Sequence, residues 1–140
     1  NCQFWFIQEK NDHVTSVFVN RIKKLFHKSN LSENYFTIFS RMTQNKFFRL
    51  INKADIILDS LNWSGNNSSH EAISLNKPII TLPGKFMRGR HTYSILKLLD
   101  VKETIAITKD DYIKISVKLA NDLNFRNTII NKIKKNKKRI

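Results

Sequence analysis

The 140-residue chain carries 25 Lys and Arg against 11 Asp and Glu, for a net charge of +14. Its 41% hydrophobic content excludes a disordered solvating segment, and no apolar run approaches the roughly 20 residues a membrane-spanning helix needs. The length suits one domain, residues 1–140, with a core of its own.

The predicted elements alternate from the start. "QFWFI" (3–7) reads as a strand, and Val14, Val17, Phe18, Ile22, Leu25 and Phe26 follow at helical spacing. "YFTIF" (35–39) is a second strand. A helix over 44–53 has Phe47, Phe48, Leu50 and Ile51 on its apolar side. "DIILD" (55–59) is a third strand, nearly all apolar, as a strand covered on both faces should be. A helix over 69–75, a strand "PIITL" (78–82), a helix over 92–99 and a short strand near 103–107 come next. Tyr112, Ile115 and Leu119 mark one closing helix, and Phe125, Ile129, Ile130 and Ile133 another. Such alternation predicts a Rossmann-like α/β domain, a parallel sheet with helices on both faces. The chain starts on Asn and enters a buried-type strand at once, which reads as a fragment lacking the first strand and helix of its sheet.

Seven Lys or Arg and no acid fall in the last fifteen residues, leaving a net +7 on the first 125. A basic tail attracts nucleic acid or an anionic surface. The isoleucines at helical spacing inside it favour the solvated face of a terminal helix, at about 123–140. Cys2 is the single cysteine and has no internal partner. The opening "NCQFWFIQEKND" has neither a basic start nor a small-residue cleavage site, so the expected compartment is the cytoplasm.

In parallel α/β sheets, ligands sit beyond the carboxyl ends of the strands. The stretch "DSLNWSGNNSSHE" (59–71) occupies such a turn. Gly65 permits close backbone approach, and Asn66, Asn67, Ser68 and Ser69 offer donors beside a helix N-terminus, where an anion is favoured. Ser68 and Glu71 also have the spacing of a capping box, which explains both without a ligand. The turn "LPGKFMRGRHTY" (82–93) places Lys85, Arg88, Arg90 and His91 just before another helix start. The dipole disfavours positive charge there unless an anion sits among these groups. A solvated loop of a basic protein is the plainer alternative. A third turn brings Arg41, Gln44 and Lys46, with Phe47 either lying against a base or packed in the core. No zinc spacing, P-loop or G-x-G-x-x-G pattern is present, so no metal or further cofactor is expected.

The order D-x-x-L-D, a small-polar loop, "KPIITLPG" and then R-x-x-x-S-x-L-x-x-L resembles the C-terminal part of the O-GlcNAc transferase and SPINDLY family over nearly the whole chain. Those are inverting glycosyltransferases of the GT-B fold, linked to tetratricopeptide (TPR) repeats. The resemblance implies the C-terminal half of such an enzyme, with a UDP-sugar donor, UDP-GlcNAc first among candidates, and an unidentified acceptor protein or glycan. Gly65, Asn66, Asn67 and Ser68 would then hold the diphosphate, Glu71 the ribose, and Gln44 and Phe47 would line the base. The chain departs from the family where its lysine and histidine fall on Gln44 and Phe47, and where the loop histidine falls on Asn66. The family's other diphosphate contacts and its second Rossmann domain would lie upstream of Asn1, as would any TPR repeats. This chain would thus grip the donor without a general base and without turnover of its own. The alternatives are a basic nucleic-acid-binding module, whose affinity would fall steeply with salt, and a family member that binds without catalysing.

Overall fold

The computed structural model describes residues 2–140, which fall into two compact units divided between Gln44 and Asn45. In the first unit, strand β1 (Phe4–Ile7) leads through helix α1 (Asp12–Lys28) to strand β2 (Phe36–Phe39). The two strands pair in parallel, from Phe4 opposite Phe36 to Ile7 opposite Phe39. Asn11 starts α1 by accepting the amide N–H of His13 at 2.9 Å, and Asp12 and Lys28 complement the helix dipole at either end. Aromatic rings tie helix to strands. Phe18 meets Phe6 edge-on at 5.1 Å, and Phe26 meets Phe36 at 5.1 Å and Phe4 at 6.4 Å. No residue of α1 is fully buried.

Helix α2 (Gln44–Lys53) opens at the division and β3 (Ile57–Leu58) follows it. Then come α3 (Asn67–Ser74), β4 (Ile79–Ile80), α4 (His91–Leu98), α5 (Lys109–Asn121) and α6 (Leu123–Asn136). Strands β3 and β4 pair in parallel, with Ile57 N donating to Pro78 O at 2.9 Å and Asp59 N to Ile80 O at 3.0 Å. The five-residue strand expected over 55–59 holds only two residues, because the chain leaves the ladder at Asp59, whose carboxylate bonds to the following loop. No strand forms at 103–107 either. Thr81 and Ile105 make one parallel bridge before Thr108 caps α5. The described strands thus form two separate two-stranded parallel sheets, one in each unit.

The core of the second unit is aliphatic. Ile73, Ile79, Ile80, Leu96, Leu99, Leu119, Ile129 and Ile133 are all but inaccessible. Two of these, Ile129 and Ile133, belong to the basic C-terminal helix, so α6 is a core element with a charged outer face. Lys132 pairs with Glu103, Lys137 donates to Ser74 O, and Asn136 donates to Leu99 O at 2.9 Å. Among the described residues, no helix is long and apolar enough to cross a membrane.

Helices α1, α3 and α4 end alike, each followed by a residue with positive φ: Asn30, Asn76 and Asp100. At α3, Lys77 N donates to Ala72 O and Asn76 N to Ile73 O; at α4, Val101 N donates to Leu96 O. These are left-handed caps made without glycine.

Candidate functional site

The carboxylate of Asp59 organises the site. It is nearly buried, and three donors converge on it: Gly65 N at 2.8 Å on one oxygen, Ser64 Oγ at 2.7 Å and Thr81 Oγ1 at 2.6 Å on the other. Each hydroxyl has one proton. With its proton on Asp59, Ser64 Oγ accepts the N–H of Thr92 at 2.9 Å. Thr92 Oγ1 lies 2.7 Å from Ser69 Oγ and donates to Gly65 O at 3.1 Å. Asp59, Ser64, Ser69, Thr81 and Thr92 are all buried. This network fastens the loop after β3 to the first turn of α4, and it leaves every member partnered. From α5, the Tyr112 hydroxyl donates to Asp59 O at 2.9 Å; burial pushes its phenol well up, and the nearby Asp59 carboxylate adds to the effect.

All three glycines of the chain lie in these two loops, and close contact explains Gly65 and Gly89. A Cβ on Gly65 would stand 2.7 Å from both Ser68 Oγ and Ser69 Oγ. Gly84 and Gly89 cross back-to-back, Gly84 N donating to Gly89 O at 2.8 Å, and a Cβ on Gly89 would meet Gly84 Cα at 3.2 Å and Asn62 Cα at 3.3 Å. Asn62 itself takes φ 65°. Ser64 N donates to Arg88 O, which joins the two loops a second time.

Between them is a cavity of about 540 Å³. Gly65, Asn66, Asn67 and Ser68 line one part of it, and Trp63, Arg88 and His91 another. Asn66 is the N-cap of α3, and its side chain makes no capping bond. The capping box expected from Ser68 and Glu71 therefore does not form, because the helix begins two residues earlier and Ser68 lies within its first turn. Ser69 N and His70 N both donate to Asn66 O, while the N–H groups of Asn67 and Ser68 precede the first helical bond and carry the positive end of the dipole, so this part of the cavity favours an anion.

The remaining sequence-predicted residues are placed differently. Arg90 donates to Gly84 O at 3.1 Å and lies 4.6 Å over the Tyr93 ring, which makes it a strut of the loop; neither it nor Lys85 lines the cavity. Glu71, half-buried on α3, is also outside the lining. Phe47 packs against the aliphatic core, as its spacing with Leu50 and Ile51 allowed. Gln44 begins α2 and belongs to the other compact unit. Sequence reasoning missed Asp59, Ser64, Thr92 and Tyr112. A carboxylate closing an apolar strand before a serine-rich loop was the available signal for the first; Thr92 and Tyr112 had none, being 33 and 53 residues further along the chain.

Comparison with known proteins points the same way. The sequence pattern of glycosyl transferase family 41 matches residues 15–140. A probable UDP-N-acetylglucosamine–peptide N-acetylglucosaminyltransferase SPINDLY of Petunia hybrida is 26% identical over 69 residues, 49% of this chain and 7% of that protein. Its counterpart from Eustoma exaltatum subsp. russellianum is 29% identical over 69 residues, 49% of this chain and 8% of that protein. A mutant O-GlcNAc transferase of Thermobaculum terrenum superposes with a TM-score of 0.81 at 26% identity, over 95% of this chain and 25% of that one. The chain thus spans a small part of the proteins it matches, and its α/β architecture is that of part of the GT-B fold of O-GlcNAc transferase. With 15–140 covered by the family pattern, the chain belongs to glycosyl transferase family 41.

Proposed function

We propose that this chain is the donor-binding half of an inverting glycosyltransferase and holds UDP-GlcNAc by its diphosphate in the cavity beside α3. The observation that carries the reading is the uncapped first turn of α3 opening into that cavity, behind a glycine that leaves no room for a side chain. The names of the SPINDLY and O-GlcNAc transferase relatives support the choice of sugar nucleotide. In such a transfer the acceptor hydroxyl attacks the anomeric carbon as UDP departs. Negative charge then grows on the diphosphate, and fixed N–H dipoles stabilise it without reorganising. Asn67 and Ser68 provide those dipoles, and Asp59, Ser64 and Thr92 hold the loop in place. Helix dipole and basic side chains meet the diphosphate charge without a metal. A second Rossmann domain would bring the acceptor and the general base, with TPR repeats selecting the acceptor, in a cytoplasmic enzyme.

Calorimetric titration of the folded chain with UDP, ADP and a short RNA at two salt concentrations tests this. Saturable UDP binding, weaker for ADP, unchanged by EDTA and weakened in the double variant Asn67→Ala, Ser68→Ala, which removes the side-chain donors and keeps the backbone N–H groups, is the expected result. Salt-sensitive RNA binding without UDP preference would overturn it.

A further inference from the structure

We infer that Arg88 is a second, side-chain grip on the donor diphosphate, held in readiness by the rings of Trp63 and Phe86; this rests on the function proposed above. Arg88 lines the cavity. Its guanidinium lies 5.0 Å from the centre of the Phe86 ring and 6.0 Å from that of Trp63. Among the described residues, no carboxylate, carbonyl or hydroxyl accepts from it. A guanidinium lying over aromatic rings keeps its in-plane N–H donors for an acceptor, and that planar fork matches phosphate oxygens. Trp63 and Phe86 are themselves 71% and 59% exposed, so the clamp sits at the mouth of the cavity rather than in the core. Large aromatics that gain little burial there need another reason for their position, and restraining a cation is one.

The backbone fixes the arginine as well. Its carbonyl accepts from Ser64 N at 2.8 Å, so Arg88 is attached to the residue that bonds Asp59 and precedes Gly65. Its neighbours separate by role: Arg90 uses its donors on Gly84 O and Lys85 is outside the lining, whereas Arg88 has its donors available beside the cavity. A side chain restrained before the ligand arrives loses less entropy on binding. Arg88 would therefore add affinity to the phosphates and none to the nucleoside.

Titration of the chain and of Arg88→Gln and Arg88→Lys with UDP, UMP and uridine tests this, with circular dichroism to confirm that each variant is folded. Arg88→Gln should weaken UDP about tenfold while leaving uridine within about twofold, since a charge-assisted phosphate contact is worth that much. Arg88→Lys should recover only part of the loss, because a point charge lacks the fork and the stacking face. The double variant Trp63→Ala, Phe86→Ala should give a smaller, again UDP-selective, loss. Equal loss of UDP and uridine, or no change in either, would overturn the inference while leaving the donor site standing. A wild-type chain that binds neither ligand would overturn the proposed function itself.

Discussion

A buried carboxylate with three donors is costly to remove, because its donors lose their acceptor. Asp59→Ala leaves Thr81 Oγ1 and Gly65 N without their acceptor and turns Ser64 Oγ to Thr92 Oγ1, and a loss of about 2–4 kcal/mol in chemical denaturation is expected. UDP affinity should fall with it, since the loop loses its attachment to α4. Gly65→Ala acts at the same place by volume: its methyl would overlap the Ser68 and Ser69 hydroxyls and push the first turn of α3 outwards. About 1–3 kcal/mol of stability should go, and UDP titration should detect the displaced turn. Gly65 stood out in the sequence because so few glycines occur, and its turn lies after an apolar strand, where the sequence already placed a candidate site. Asp59 was read only as the end of a strand, because the partners that give it a role sit on other segments.

At the scale of elements, the glycine shortage has a second consequence. Helices that usually end on glycine end here on Asn30, Asn76 and Asp100 in the left-handed region, which costs a side-chain-bearing residue about 1 kcal/mol. Asn76 also has its Oδ1 buried with no partner among the described residues. Asn76→Gly is therefore expected to stabilise the chain by about 0.5–1 kcal/mol, read as a rise in melting temperature, and Asn76→Ala to destabilise it. Helical periodicity located α1, α2, α5 and α6 within a few residues, since an amphipathic helix carries its pattern in its own sequence. The strands fared worse. "ETIAI" has a strand's composition, yet only Ile105 pairs, because pairing depends on a neighbour that the segment does not encode.

For the whole molecule, the two units differ in depth of burial. The first is joined by ring contacts with no fully buried residue in α1, while the second has an aliphatic core. Amide exchange should therefore be faster across 4–39 than across 72–133, and equal protection would contradict that ranking. Ile133→Ala, by opening a cavity in the core under the basic face of α6, should cost about 2–5 kcal/mol. Stability should also depend on pH in two windows. Lys23 and His27 lower the Glu33 carboxyl, Lys102 lowers that of Asp100, and at Glu103 burial opposes ionisation but Lys132 prevails. Groups lowered on folding contribute above their ordinary values and lose that contribution as pH falls through the folded ones. Tyr112 runs the other way: its raised phenol contributes below the ordinary value of about 10 and loses that contribution as pH climbs past it. The melting temperature should be level near neutrality and drop on both sides, measurably by scanning calorimetry.

By itself the sequence determined the α/β class, the helices and the family, because periodicity and short motifs are properties of neighbouring residues. Only the tertiary structure decided which basic residues reach the cavity, since Lys85, Arg88, Arg90 and His91 are equivalent as a string and differ in what surrounds them. The isoleucine spacing already favoured a terminal helix with a solvated basic face; the tertiary structure supplied the core partners, on elements far along the chain, that bury Ile129 and Ile133. The Asp59 network belongs to the tertiary structure for the same reason: its members, spread from residue 59 to residue 112, meet only when β3, β4, α4 and α5 pack together.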